Sequence, residues 1–245
     1  RYLEREYHPD RLLHPLRRTG AKGEARFERI SWDDALDAIA ARLKSISEQF
    51  GPESVLPYSY GGTLGFLQGG SMDRRFFHRL GASRLDRTIC ASAGGAGLME
   101  AYGRRMGTPP EDFVHARYII AWGANILATN VHLWPFIVEA RRRGARFVVI
   151  DPVRTKTAAL ADWHLAPYPG SDLALALAMM HVLYEEGLAR KLDGDESLRA
   201  RAAEYPPEKA AHFTGIEAGD IRRLAREYAS MRPAVIRLNY GVQRS

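Results

Sequence analysis

The only cysteine of the chain, Cys90, stands in the segment RTICASAGGAGLME, directly before a glycine-rich run. A cysteine thiolate is a ligand for soft metals, and the N-terminus of a following helix would stabilise its negative charge. The same residue type is also common as a small, buried packing residue. From the segment alone, packing is the favoured interpretation of Cys90 and metal ligation is the alternative.

Two further segments place polar residues directly after apolar runs: WGAN at 122–125 and IDPVRT at 150–155. Gly123 would let backbone N–H groups approach a phosphate, and Asn125 could form a hydrogen bond beside it. Asp151 has the position of the acid that binds ribose hydroxyls in dinucleotide-binding folds. Each has a simpler interpretation, since Gly123 could be only a turn and Asp151 only the end of a strand before proline.

The remaining candidates lie in the same loop and in the segment PGSD at 169–172. Arg154 and Thr155 could hold a phosphate or a base edge. Asp172, which follows Gly170 in a tight turn, offers two acceptor oxygens that match the N1–H and N2–H donors of guanine. Asp172 could equally be a helix N-cap, and the two roles can coexist because a cap needs only one oxygen. Their joint placement predicts a nucleotide site, and the absence of G-x-G-x-x-G disfavours an ordinary NAD site.

The elements that must position these residues follow from the hydrophobic pattern. ARYIIAWGAN and ARFVVIDP are apolar strands separated by the amphipathic helix PFIVEARRRG, which predicts a right-handed crossover between parallel strands. LALALAMMHVLYEEG and EAGDIRRLAREYA predict two further helices, and AVIRLN a last strand. The fold class is therefore a doubly wound, mostly parallel α/β protein, in which ligands bind beyond the carboxyl ends of the strands.

The first part of the chain is less regular. Residues 1–30 mix proline, glycine and charge, which predicts an irregular N-terminal arm. Ser31 predicts the N-cap of a helix that Gly51 and Pro52 end. We expect a buried strand at 54–60 and a helix at about 70–80.

Composition limits the class of protein. The chain has 245 residues, 46% of them hydrophobic, and a formal net charge of +6. No nucleic-acid motif accompanies the basic residues, so no nucleic-acid partner is expected. The apolar run at 173–184 is shorter than the roughly 20 residues of a membrane span, and no leader is visible. One cysteine excludes an internal disulfide and a four-cysteine cluster site within this stretch.

Several segments together resemble a known family. YHPDRLLHPLRRTGAKGEARFERISWDDALDAIA, WGAN, VVIDPVRTKTAALADWHLAPYPGSDLALALAMMHVL and TGIEAGDIRRLAREYA are similar to the large catalytic subunit of the molybdopterin oxidoreductases, the dimethyl sulfoxide reductase superfamily. The resemblance implies two interleaved α/β domains. Residues 86–232 would form the dinucleotide-binding domain, and 31–85 with 233–245 would belong to the other, discontinuous one.

The resemblance also implies a cofactor, bis-molybdopterin guanine dinucleotide with molybdenum or tungsten. The family's G-x-N, IDP-x-x-T and P-G-T-D motifs fall on cofactor-binding candidates already named: Gly123, Asn125, Asp151, Arg154, Thr155, Gly170 and Asp172. Ser171 stands where the family has threonine, and Ile126 where it usually has proline. Cys90 falls on the family's metal ligand, which makes ligation the favoured interpretation. Formate dehydrogenases carry a histidine where this chain has Ala91, which disfavours formate as substrate.

In function, the resemblance implies two-electron oxidation or reduction of a small-molecule substrate, by transfer of an oxygen atom or a hydride equivalent. It places a four-iron, four-sulfur cluster in a region before Arg1 and implies an iron–sulfur electron-transfer partner. It also implies that this chain is a central fragment, which we expect to be inactive alone. One alternative is a non-catalytic scaffold of the same fold, as in the large iron–sulfur subunit of respiratory NADH dehydrogenase. Another is a regulatory module that binds GMP or GTP without metal.

Overall fold

The computed structural model describes residues 2–59, 67, 70–89, 91–190 and 194–243. The chain divides into a first unit, residues 1–87, and a second unit, residues 88–245. Within the described residues, no helix is both long enough and apolar enough to cross a membrane.

In its described residues, the first unit contains short strands and three α-helices. The helices are α1 (Tyr2–Glu6), α2 (Trp32–Phe50) and α3 (Met72–Leu80), and the strands are β1 (Leu16–Arg18) and β2 (Phe27–Arg29). The two strands pair antiparallel in a hairpin. The prediction of an irregular arm over 1–30 is wrong for the residues that form α1 and this hairpin. Each strand is three residues long and exposed throughout, so no alternation of apolar and polar residues revealed it.

Helix α2 begins after Ser31 and ends at Gly51, as the sequence predicted. The Ser31 hydroxyl accepts a hydrogen bond from the Asp34 N–H at 3.0 Å, and the Ser31 N–H donates to the Asp34 carboxylate at 3.4 Å. These two bonds form a capping box. The hydrogen bonds from Ser31 hold the pKa of Asp34 below its usual value. The helix ends at Gly51, with a φ of +83°, followed by Pro52.

The strand predicted at 54–60 is not present over 55–59, and residue 60 lies outside the described residues. Pro52–Ser54 form a short 3-10 helix instead. The backbone of this segment receives a hydrogen bond from Ser83 N–H to the Val55 carbonyl at 3.0 Å. A single bond of this kind does not make a ladder, so an apolar run alone was an insufficient signal for a strand.

The second unit is built on a four-stranded parallel sheet. Its strands are β3 (Tyr118–Trp122), β4 (Arg146–Ile150), β5 (Trp163–Leu165) and β6 (Ala234–Leu238), in the order β5-β4-β3-β6. Its helices are α4 (Ser92–Tyr102), α5 (Ile126–Thr129), α6 (Trp134–Arg142), α7 (Lys156–Ala159), α8 (Asp172–Glu185), α9 (Glu196–Ala203), α10 (Pro207–Thr214) and α11 (Ala218–Ser230). The predicted crossover β3-α6-β4, the helices α8 and α11 and the strand β6 are all confirmed.

Helices cover both faces of this sheet. All five residues of β3 are buried, and they alternate between two cores. Tyr118 and Ile120 pack with residues of α8, α10 and α11, whereas Ile119 and Ala121 pack with residues of α6. The fold is therefore a doubly wound α/β arrangement, as predicted.

The position of β6 differs from the division made on the sequence, which grouped 233–245 with 31–85. β6 pairs along its whole length with β3, from Tyr118 opposite Ala234 to Trp122 opposite Leu238. Residues 233–245 accordingly belong to the second unit. The hydrogen bonds of a parallel ladder decide this membership, and they join residues that are far apart in sequence.

Candidate functional site

The ends of the four parallel strands are in register. Trp122 lies opposite both Ile150 and Leu238, and Ile150 lies opposite Leu165. The residues that follow these strand ends therefore meet at one edge of the sheet. We call this the carboxyl edge, and it comprises residues 123–125, 151–155, 170–172 and 239–242.

Gly123 turns the chain at the carboxyl edge. Its φ is +58°, and a Cβ added to it would lie 2.9 Å from Val242 Cγ2 and 3.0 Å from the Val242 backbone nitrogen. Its N–H donates to the Ile150 carbonyl at 2.9 Å and so extends the sheet. Glycine is required here because another part of the chain packs against it. Its own N–H is engaged in that bond, and the expectation that Gly123 lets backbone N–H groups approach a phosphate stays a prediction.

Asn125 is held by a residue that sequence reasoning missed. The Thr157 hydroxyl donates to Asn125 Oδ1 at 2.8 Å and accepts the Leu127 N–H at 3.0 Å. Thr157 is fully buried. Within the described part of the chain, the Asn125 amide nitrogen forms no hydrogen bond, so its two N–H donors are unengaged. The signal was a second threonine two residues beyond Thr155, followed by alanines that permit burial.

The loop after β4 is fixed by its own polar groups. Asp151 Oδ1 accepts the Val153 N–H at 2.9 Å, and the Asp151 carbonyl lies 2.8 Å from His164 Nε2. Thr155 is the N-cap of α7, and its hydroxyl accepts the Ala158 N–H at 3.2 Å. Arg154 is exposed and forms no ion pair among the described residues. The loop thus presents a cation and one unengaged carboxylate oxygen.

The side chain of Asp172 is held by the tryptophan that ends β3. Trp122 Nε1 donates to Asp172 Oδ1 at 2.6 Å. Gly170, with a φ of +84°, makes the tight turn before it. Ser171 is the N-cap of α8, and Asp172 is its first helical residue, which corrects the suggestion that Asp172 caps the helix. The positive end of α8 still favours the carboxylate anion.

Trp122 is the second residue that sequence reasoning missed. Its place at the end of an apolar strand indicated only a packing role. The signal available was that a buried tryptophan needs an acceptor for its N–H. No hydrogen bond directly joins the side chains of Asn125, Asp151 and Asp172 within the described residues. They are brought to the same edge by the strand register.

Cys90 lies outside the described residues, so its role as a metal ligand stays a prediction. The helix that follows it, α4, packs against the 3-10 helix Tyr240–Gln243. That turn contains Gly241 and Val242, which contact Gly123. The segment after Cys90 therefore borders the carboxyl edge. Among the described residues, no three His, Cys, Asp or Glu side chains are grouped as a metal site.

An all-parallel sheet, covered on both faces and carrying polar groups at its carboxyl edge, defines a doubly wound α/β protein of the ligand-binding type. Residues 11–242 match the model of the molybdopterin oxidoreductase family. The chain belongs to this family, which confirms the resemblance seen in its sequence.

Individual proteins show the same relationship. The "Probable oxidoreductase YoaE" of Bacillus subtilis (strain 168) is 45% identical over 246 residues, covering 98% of this chain and 36% of that protein. Acetylene hydratase of Syntrophotalea acetylenica is 36% identical, covering 94% of this chain and 32% of that protein. The solved structure of acetylene hydratase from Pelobacter acetylenicus matches with a TM-score of 0.79 at 35% identity, over 97% of this chain and 33% of that one. This chain spans about a third of the length of these relatives.

Proposed function

We propose that this chain is the central part of an oxidoreductase that uses bis-molybdopterin guanine dinucleotide with molybdenum or tungsten. The reaction is a two-electron oxidation or reduction of a small substrate, by transfer of an oxygen atom or a hydride equivalent. Membership of the molybdopterin oxidoreductase family supports the reaction class. The observation that carries the nucleotide part is the Asp172 carboxylate, oriented at the carboxyl edge by Trp122.

The groups at the carboxyl edge fit a guanosine nucleotide. Guanine presents N1–H and N2–H side by side, and a carboxylate can accept both. Asp172 Oδ2 accepts no hydrogen bond from the described residues, and Oδ1 keeps a second lone pair. Asn125 adds amide donors for acceptors on the nucleotide.

The loop after β4 suits the sugar and phosphates. Asp151 Oδ2 would accept from ribose hydroxyls, and the exposed Arg154 guanidinium would pair with a phosphate. The Thr155 hydroxyl accepts from the backbone and keeps its own O–H as a donor. Gly170 lets the chain turn sharply enough to bring Asp172 to the edge.

Cys90 would supply a thiolate to the metal. The N-terminus of α4, which starts two residues later, favours a negative charge at that place in the chain. When bound, the cofactor supplies the redox chemistry, and the protein supplies placement and electrostatics. The whole protein would add a region with a four-iron, four-sulfur cluster and pass electrons to an iron–sulfur partner. This chain alone would hold only part of the cofactor and would be inactive.

The test is to measure the metal and GMP content of the intact protein, produced with molybdate and tungstate. We expect about one metal ion and about two GMP per chain after acid hydrolysis, because the protein binds a bis-dinucleotide cofactor. GMP without metal would indicate a regulatory nucleotide-binding module. Absence of both would refute the proposal and leave a scaffold of the same fold.

A second candidate is hydration of a small unsaturated substrate, because a similar protein and a solved structure are named acetylene hydratase. The two reactions differ in electron balance. Acetylene consumed without an electron acceptor would support hydration, whereas turnover that requires an electron donor or acceptor would support the oxidoreductase.

A further inference from the structure

The indole of Trp122 links the core of the second unit to the candidate site. Trp122 is the last residue of β3 and is only 5% exposed. Its N–H donates to Asp172 Oδ1 at 2.6 Å, across 50 residues of sequence. A buried indole N–H needs an acceptor, whereas the partly buried Asp172 carboxylate can also be hydrated. The bond therefore has two possible roles, in stability and in orienting Asp172.

The indole is a rigid donor. The backbone of Trp122 pairs with β4 on one side and β6 on the other. Its carbonyl accepts the Asn239 N–H at 3.2 Å, and its ring packs among buried residues of the sheet and α8. The donor therefore cannot follow Asp172 if that side chain rotates.

Asp172 itself has one loose torsion. The χ2 angle of aspartate has a broad energy well, so an unrestrained carboxylate samples many planes. Anchoring Oδ1 fixes the plane in which Oδ2 and the second lone pair of Oδ1 point. A guanine edge demands this, because its two donors are coplanar and must be met by both oxygens at once.

We infer that Trp122 is a positioning residue that sets selectivity for guanine by holding the Asp172 carboxylate in the plane of the base. The inference rests on the proposed nucleotide site and deepens it. Hypoxanthine lacks the N2 amino group and offers only N1–H, so one oxygen suffices for it. Adenine offers an acceptor at N1, which a carboxylate repels.

The experiment measures binding of GMP, IMP and AMP by calorimetry to the intact protein, purified from a host that lacks the cofactor. In the wild-type protein GMP should bind about ten- to hundredfold more tightly than IMP, the range expected of one hydrogen bond to a charged group. Trp122→Phe keeps an aromatic ring and removes the N–H. We expect this variant to lose most of the GMP preference, while its affinity for IMP changes little.

A matched control is Trp163→Phe. Trp163 begins β5, opposite Val148 in the middle of β4, and the Cζ atoms of Arg223 and Arg146 lie 4.6 Å and 5.6 Å from its ring centroid. This control should leave the GMP-to-IMP ratio unchanged. If Trp122→Phe weakens GMP and IMP equally, the indole has only a packing role and the inference is overturned.

A spectroscopic measurement covers the case in which Trp122→Phe does not fold. In protein with ¹⁵N-labelled indoles, the resonance that moves in Asp172→Ala belongs to Trp122, and GMP should shift that resonance more than IMP does. Equal shifts overturn the inference. If the wild-type protein binds no nucleotide and Asp172→Ala changes nothing, the proposed nucleotide site itself fails, and the inference fails with it.

Discussion

The hydroxyl of Thr157 lies between the side chain of Asn125 and the backbone of Leu127, donating to the first at 2.8 Å and accepting from the second at 3.0 Å. This buried threonine joins the turn after β3 to helix α7, which follows β4. It fixes which end of the Asn125 amide is engaged.

Replacing this threonine tests its part in the carboxyl edge. Thr157→Val keeps the shape but leaves the Leu127 N–H without its partner, so we expect a loss of about 1–3 kcal/mol in the free energy of unfolding. Thr157→Ser keeps the hydroxyl and is the matched control, with a smaller loss. Urea denaturation of both variants gives the comparison. Equal losses would show that the methyl group, and not the hydroxyl, matters at this position.

Alanine substitutions at Gly123 and Gly187 distinguish the cost of backbone strain from the cost of close packing. Both have positive φ, +58° and +66°, but only at Gly123 would a Cβ meet other atoms within 4 Å. Gly187→Ala should cost about 1–2 kcal/mol from the left-handed backbone alone. Gly123→Ala should cost about 1–3 kcal/mol more, because Val242 must move. Similar losses in thermal unfolding would argue against the contact between Gly123 and the 241–242 segment.

The buried hydroxyl of Tyr118 should make the stability of the protein fall at alkaline pH. Burial, and then a 2.9 Å hydrogen bond to Glu227, raises the pKa of this hydroxyl above its ordinary value of 10.0. A group with a raised pKa contributes stability below its ordinary pKa, and the contribution falls as pH rises above that value. Tyr118→Phe should therefore be about 1 kcal/mol less stable near pH 8. The difference between the proteins should shrink above about pH 10.

Urea unfolding of both proteins at several pH values measures this difference. Glu227 keeps its partners Arg146 and Arg223 in the variant, so the fold should survive the substitution. A difference that stays constant through the alkaline range would contradict the assignment to Tyr118.

If Cys90 is the metal ligand, its substitution should affect metal chemistry and leave nucleotide binding intact. In the intact protein, Cys90→Ser should lower turnover by at least about tenfold, because a hydroxyl is a harder and weaker ligand than a thiolate. The GMP content should stay unchanged, since the nucleotide candidates are other residues, at the carboxyl edge. Metal analysis, GMP release and turnover are measured on the same samples. Loss of GMP with the substitution would mean that the ligand has been misassigned.

The sequence predicted the elements that carry a strong local signal. YIIAW at 118–122 is an unbroken apolar run, and it is the central, fully buried strand β3. Helix α8 and its glycine at 187 also followed from local pattern. The hairpin of β1 and β2 did not, because strands of three exposed residues leave no periodic trace.

The sequence predicted polar residues of the carboxyl edge, but it predicted neither Trp122 and Thr157 nor the hydrogen bonds that these two form. Polar residues after apolar runs identified Asn125, Asp151 and Asp172 as neighbours at strand ends. The bonds Trp122–Asp172 and Thr157–Asn125 span 50 and 32 residues, and no local pattern encodes such contacts. Asp172 also illustrates a limit of capping rules, since Ser171 and Asp172 are both good N-cap residues and Ser171 takes the N-cap position without a side-chain capping bond.

The position of β6 beside β3 has a consequence for biosynthesis. Gly241 and Val242, which close against Gly123, leave the ribosome more than a hundred residues after it. Strands β3, β4 and β5 can pair as they emerge, but the packing of Gly241 and Val242 against Gly123 cannot form until β6 has been made and has docked beside β3. The carboxyl edge is therefore incomplete until then, and a nascent chain that stops before β6 has no finished site to offer a ligand.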